Sequence, residues 1–190
     1  MSLEETVAKL QEQFKVIAKT DFRGESTLEL PLDQIGPACR FANEQLGFDF
    51  LSDISSVDNF GDEPRFEVVY ELYSLKSNIH LRLKTRVSED HLEVPSVVHI
   101  WKTANWHERE VYDMMGIRFS SHPDLRRILM WEGYPFHPLR KDFPLEGKPS
   151  EMPDVAFSQP APLEGGPFVT VPTPGHIEDR EPRARHVIEE

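Results

Sequence analysis

Residues 105–113, Asn105-Trp106-His107-Glu108-Arg109-Glu110-Val111-Tyr112-Asp113, bring an indole, an imidazole, three carboxyls, a guanidinium and a phenol into one short run. Three kinds of chemistry draw on such groups. General acid–base catalysis needs two carboxyls flanking one bond. Successive helix residues point about 100° apart, so Glu108 and Glu110 diverge and do not make such a pair. Metal binding needs three or four ligands. His107 with Glu110 supplies two, and the pair of histidines four apart that marks a zinc helix is absent. Recognition of another protein needs neither. On a helix, Trp106, Arg109, Glu110 and Asp113 share one face, and Ala104, His107, Val111, Met114 and Met115 the other. An aromatic beside an arginine is a frequent hot-spot pairing, so the first face is expected to be an interface rather than a solvated surface.

A second concentration follows in His122-Pro123-Asp124-Leu125-Arg126-Arg127-Ile128-Leu129, where Asp124 is placed to pair with Arg127. Arg126, Arg127, Arg140 and Lys141 form the basic concentration of an acidic chain, with Asp124, Glu132 and Asp142 close by. Docking onto acidic residues of a partner, bidentately through arginine, is favoured over a merely solvated turn. No glycine-rich dinucleotide fingerprint, phosphate loop or serine nucleophile elbow occurs. The single cysteine, Cys39, excludes a disulfide framework and is too few thiolates for an iron–sulfur cluster. It reads as a small buried residue of a helix. The net charge of -12 argues against nucleic acid and against broad adhesion to anionic lipid. No apolar run is long enough to span a bilayer. The acidic N-terminal stretch, with Glu4, Glu5, Glu12 and Asp21, resembles no signal or presequence, so the chain is expected to remain where it is made.

The elements that position these residues are legible in part. Leu3, Val7, Leu10, Phe14 and Ile17 recur at helical spacing, with Ser2 and Glu5 as a capping box. A strand is expected near Ser26–Leu30. A second helix is expected from Pro37, at its first position, to Leu46, with Gly47 just beyond. Phe48-Asp49-Phe50-Leu51 opens a strand. Phe66, Val68, Tyr70 and Leu72 alternate with Glu67 and Glu71, and Ile79, Leu81, Leu83 and Val87 alternate with His80, Arg82, Lys84 and Arg86. These two segments predict an antiparallel hairpin with acidic and basic residues paired across its polar face. Val97–Trp101 reads as a further short strand. A third helix is predicted from Trp106 to Met115, capped by Asn105 with Glu108 and stopped at Gly116. The class is α+β: a mixed, largely antiparallel sheet of about five strands with helices on one face.

Prolines divide the chain: five of sixteen lie in residues 1–131 and eleven in 132–190. The organisation predicted is a folded body over 1–131 and an extended Pro-rich tail over 132–190. Phe136, Leu139, Phe143, Leu145, Phe157, Phe168 and Val169 are spaced along that tail. Proline-stiffened segments with apolar anchors lose little entropy on binding, so the tail is expected to wrap a partner subunit. Residues from about 174 onward are highly polar.

Taken together, Glu108-Arg109-Glu110, Asp113-Met114-Met115-Gly116-Ile117 and His122-Pro123-Asp124-Leu125-Arg126-Arg127-Ile128-Leu129 resemble the signature of the thirty-kilodalton subunit of respiratory NADH:quinone oxidoreductase, complex I. Phe48–Leu51 through Val57-Asp58, Phe66–Tyr70, Pro95-Ser96, Ala104–Trp106 and Arg140-Lys141-Asp142-Phe143-Pro144-Leu145 extend the resemblance over residues 40–147. It implies a subunit of the peripheral arm of a proton-translocating complex, on the cytoplasmic side of a bacterial membrane or the matrix side of a mitochondrial one. It further implies that flavin (FMN), iron–sulfur clusters, NADH and quinone belong to partner subunits, and that this chain holds no cofactor. The implied partners are the large subunit that shapes the quinone cavity and nearby iron–sulfur subunits. Trp106, Glu108, Arg109, Glu110, Asp113, His122, Asp124, Arg126, Arg127, Arg140, Lys141 and Asp142 would then serve packing and docking. Alternatives are the equivalent subunit of a membrane-bound hydrogenase or of a ferredoxin:plastoquinone oxidoreductase, and an independent metallo-hydrolase using His107, Glu108, Glu110 and His122.

Overall fold

The structure is a computed structural model that describes residues 2–145 and residue 147. Helix α1, Leu3–Gln13, starts at the capping box read from the sequence: the Glu5 amide donates to Ser2 Oγ and the Ser2 amide to Glu5 Oε2. Its apolar stripe ends sooner than the periodicity suggests. Phe14 is already extended, and Ile17 lies beyond the helix and is exposed. Strands β1 (Ala18–Phe22) and β2 (Glu25–Glu29) form a hairpin; β1 is exposed throughout, which is why no alternation announces it.

Helix α2 runs Leu32–Leu46, so Pro37 stands inside it and does not open it. Gly36-Pro37 imitates a helix boundary in sequence. Here the proline removes one amide donor within a helix whose other face is buried through Ile35, Ala38, Cys39, Ala42 and Leu46. At Gly36 an added Cβ would rest in ordinary van der Waals contact with Pro95 Cγ, at 3.5 Å. Gly47 closes the helix in the left-handed conformation at φ 75°.

Strands β3 (Phe50–Asp58), β4 (Phe66–Ser74) and β5 (Ile79–Val87) complete a five-stranded sheet ordered β1-β2-β5-β4-β3. Every pairing is antiparallel except β2 with β5. Phe66, Val68, Tyr70 and Leu72 of β4 and Leu81 and Leu83 of β5 are fully buried beneath the helices. On the polar face Glu67 lies opposite Arg86 and Glu71 opposite Arg82, the charge arrangement predicted for the hairpin. Lys84 reaches Glu67 at 2.8 Å.

The expected strand Val97–Trp101 is a turn instead. The amides of Ile100 and Trp101 both donate to Val97 O, at 2.9 and 3.0 Å. The preceding donors go to side chains and not to a neighbouring strand: Val97 N–H to Glu108 Oε1 and Val98 N–H to Ser96 Oγ. The real strand just before it, β6 (Glu93–Pro95), pairs in parallel with β7 (Arg118–Ser120) in a separate two-stranded sheet. Between them lies α3, Ala104–Met115. Its N-cap position is Thr103 with no side-chain bond, so the Asn105–Glu108 box does not form: Glu108 turns inward instead.

The first of two compact units extends to Asp142, so residues 132–142 pack with the body. Most of the expected tail, including Phe157, Phe168 and Val169, lies outside the described residues.

Candidate interaction site on the third helix

Beyond β7 the backbone from Ser121 to Asp142 has no helix or strand, yet it crosses α3 in a fixed course. A chain without regular structure must satisfy its amides and carbonyls by other means, and α3 provides them. Asp113 is fully buried. Its Oδ2 accepts the amides of Ile128, Leu129 and Met130 at 3.0, 2.7 and 2.8 Å, while Arg127 Nη1 donates to Oδ1 at 2.5 Å. Burial pushes this carboxyl up, but the Met130 and Leu129 amides, Arg127 and the Ile128 amide outweigh it, and the net shift is downward. Asp113 is therefore an ionised anchor for three successive amides.

Arg109 does the complementary work. Its Nε donates to Arg126 O and its Nη2 to Arg127 O, both at 3.1 Å, and the guanidinium lies 5.1 Å from the centre of the Trp106 ring. One side of the loop is thus held through amides and the other through carbonyls, from two positions one turn apart on α3.

The C-terminal end of α3 leaves carbonyls without intrahelical donors. Residues 137–140 supply them. His137 Nδ1 donates to Asp113 O at 2.9 Å, the Leu139 amide to Met114 O at 3.2 Å, and Arg140 Nε to Met115 O at 2.7 Å. A cation at this end also opposes the helix dipole. Gly116 ends the helix at φ 79°, and an added Cβ would meet Arg140 Nη2 at 2.6 Å and His137 Nε2 at 2.7 Å. Glycine is required there both for its conformation and for its space.

Residues 140–142 are tied to the open end of the sheet. Asp58 is buried, accepts Arg65 through both oxygens, and takes the Lys141 amide at 2.8 Å. Arg65 also reaches Glu89 and, at 2.8 Å, Asp142, and its guanidinium stacks against Phe60 and Phe66. Arg65 holds the Asp58 carboxyl below its ordinary value.

Glu108 and His122 meet inside the molecule at 4.0 Å, both side chains inaccessible. The other residues of the candidate metal set are elsewhere. His107 bonds Asp53 at 3.0 Å, and Glu110 is exposed along a shallow groove of about 110 Å³ between β3 and α3, shared with Leu139. Among the described residues no three His, Cys, Asp or Glu side chains group as metal ligands.

Of the twelve residues singled out from the sequence, Trp106, Glu110, Asp124, Arg126, Lys141 and Asp142 are exposed in this chain. Glu108, Arg109, Asp113 and the His122 side chain are buried, and Arg127 and Arg140 nearly so. The basic concentration is dispersed. Arg127 pairs with Asp113 and not with Asp124, whose partner is Arg126 at 2.8 Å. Arg65 and Asp58 were not singled out as site residues from the sequence, though Val57-Asp58 carries part of the resemblance. Their only other signal was an arginine at the foot of a strand pattern and an aspartate at the end of another.

These features define a class: a small α+β domain whose charged residues secure an irregular strap over one helix rather than line a reactive cleft. The chain belongs to the family described as respiratory-chain NADH dehydrogenase, 30 Kd subunit, which matches residues 28–149. It is 52% identical over 137 residues to the NADH-quinone oxidoreductase C-subunit 2 of Rhizobium meliloti (strain 1021), covering 71% of this chain and 75% of the relative. It is 45% identical over 148 residues to the NADH-quinone oxidoreductase C-subunit of Geobacter sulfurreducens, covering 76% and 91%. Among solved structures, a trypsin-resistant fragment (1-134) of Nqo5 superposes with a TM-score of 0.60 at 32% identity, covering 66% of this chain and all of the fragment (100%). A chain of the membrane-bound sulfane sulfur reductase, an archaeal respiratory membrane complex, gives 0.66 at 26% identity, covering 75% and 85%. No helix among the described residues is long and apolar enough to cross a membrane.

Proposed function

We propose that this chain works as a non-catalytic docking subunit in the peripheral arm of a proton-translocating NADH:quinone oxidoreductase. One observation carries the docking role. Arg109, Asp113 and Arg127 of the signature are turned onto the chain's own backbone, and Trp106, 60% exposed, stands outside on the helix beside Arg109, with Leu129, Leu139, Glu110 and Arg126 also exposed. A rigid, solvent-facing aromatic carried beside an arginine suits an interface hot spot. The flavin, the iron–sulfur clusters, NADH and quinone reside in companion subunits, of which the large quinone-cavity subunit and nearby iron–sulfur subunits are the neighbours. The complex is held to the cytoplasmic side of a bacterial membrane, or the matrix side of a mitochondrial one, by its other subunits.

The test is isolation of the native assembly through a tag on this chain, with its subunits identified by mass spectrometry. Recovery of flavin- and cluster-bearing partners supports the reading; a chain recovered alone, or one that holds a redox group itself, overturns it. Electron-input subunits of hydrogenase or sulfur-reductase type would assign the chain to a related respiratory complex. A Trp106→Ala variant is expected to fold normally and to assemble poorly.

A further inference from the structure

We propose that Glu108 is carried in the folded protein as a neutral carboxylic acid, and that loss of its proton destabilises the fold around α3. The geometry around the carboxyl carries this, independently of the docking role. Glu108 is 0% exposed. Its Oε1 accepts one amide, that of Val97, at 2.7 Å, the Ser96 hydroxyl lies close to the carboxyl, and its Oε2 is buried with no hydrogen-bond partner. Asp113, one turn and a half further along the same helix, is held ionised by three amides and an arginine. Glu108 has nothing comparable, and a buried carboxylate left short of donors is far costlier than the neutral acid.

The one cation candidate nearby is His122, 4.0 Å away, and both its ring nitrogens are engaged by other partners. The Asp124 amide donates to His122 Nδ1 at 3.0 Å, which requires a bare nitrogen there. Nε2, 3.2 Å from Asn105 O, must then carry the proton and give it to that carbonyl. From β4 the group facing Glu108 is the Tyr70 phenol, itself buried without a partner. From α2 it is the Cys39 thiol. Burial pushes both upward, so both stay neutral. On α3 itself, His107 is engaged by Asp53 and Arg109 by the strap. Ionised, Glu108 would be a buried charge with no cation paired to it. Consistently, burial pushes its carboxyl up to about 7, against the opposing pull of the Val97 amide and the Ser96 hydroxyl.

The sign of the linkage follows. The unfolded chain ionises this glutamate near its ordinary value of 4.5, whereas the folded chain retains the proton to about 7. Stability from this site is thus fully present below pH 4.5 and is lost as pH rises toward 7. The experiment uses the full-length chain with ¹³C-labelled glutamate. One side-chain carboxyl resonance is expected to titrate near neutrality and to vanish in Glu108→Gln. The wild-type unfolding constant is expected to rise up to about 100-fold between pH 5 and pH 8, a rise that Glu108→Gln removes. The Val97 amide should also exchange faster at pH 8 than its intrinsic rate dictates. If Glu108→Gln fails to fold, the wild-type resonance alone decides. A set of glutamate resonances all titrating below pH 5.5, or an unchanged pH dependence in a folded Glu108→Gln, overturns the proposal.

Discussion

Along the β4–β5 hairpin, Glu67, Glu71, Arg82, Lys84 and Arg86 stand on the polar face and pair across the strands, where water reaches most of them. On α3, Glu108, Arg109 and Asp113 point inward, and their partners are the backbone amides and carbonyls of segments 11 to 18 residues away. The residue types are the same in both places. In the hairpin the backbone is already satisfied by the sheet ladder, so the charges only adjust a structure that stands without them. Around α3 the charges replace the ladder. A strap with no hydrogen-bonded neighbour strand keeps one course because side chains supply what secondary structure does not.

That contrast can be broken by substitution. Asp113→Ala is expected to cost about 4 kcal/mol in urea unfolding, because it strands Arg127 and three amides in the interior. Amide exchange over residues 126–130 should accelerate in parallel, and a cost below about 1 kcal/mol would mean that the strap is held by packing alone. Acid should act through the same anchors. Arg65 holds Asp58 low, and the amide and Arg127 bonds hold Asp113 low despite its burial, so both protonate in the fold only below their ordinary value of 3.8. The unfolded chain takes up those protons first, so their contribution is complete above that value and is lost as pH falls through the folded ones. The urea midpoint is expected to drop between pH 5 and pH 3, and less steeply in Asp113→Asn.

Gly116→Ala is expected to cost about 2 kcal/mol, since the helix end is left-handed and the new methyl would press on His137 and Arg140. The smallest effect belongs to the hairpin. A double-mutant cycle on Glu71 and Arg82 should return a coupling of about 0.5 kcal/mol, shrinking with added salt. A coupling as large as the loss in Asp113→Ala would erase the distinction between the two regions.

The β4–β5 hairpin, its facing charges, the Ser2–Glu5 cap and the stop at Gly47 were all readable from the chain, because each depends on neighbours a few residues away. Pro37 and Val97–Trp101 misled for the opposite reason. A proline is tolerated within α2 because packing on the helix face outweighs one lost bond, and the Val97 and Val98 amides found side-chain acceptors before any strand could claim them. For the signature, helical spacing put Asp113 on the expected interface face and Glu108 at the helix cap, whereas the fold buries both, since helical geometry gives a face but not what covers it.

The sequence by itself determined the α+β class, the apolar faces and the family, all of which are written in local period and in ordered motifs. Only the tertiary structure decided that Asp113 clasps the strap, that Arg65 binds its end to the sheet, and that Glu108 and His122 meet within the core. The physical reason is that a buried polar group takes its partner from wherever the chain returns. That return is fixed by packing across many residues, and no periodicity records it.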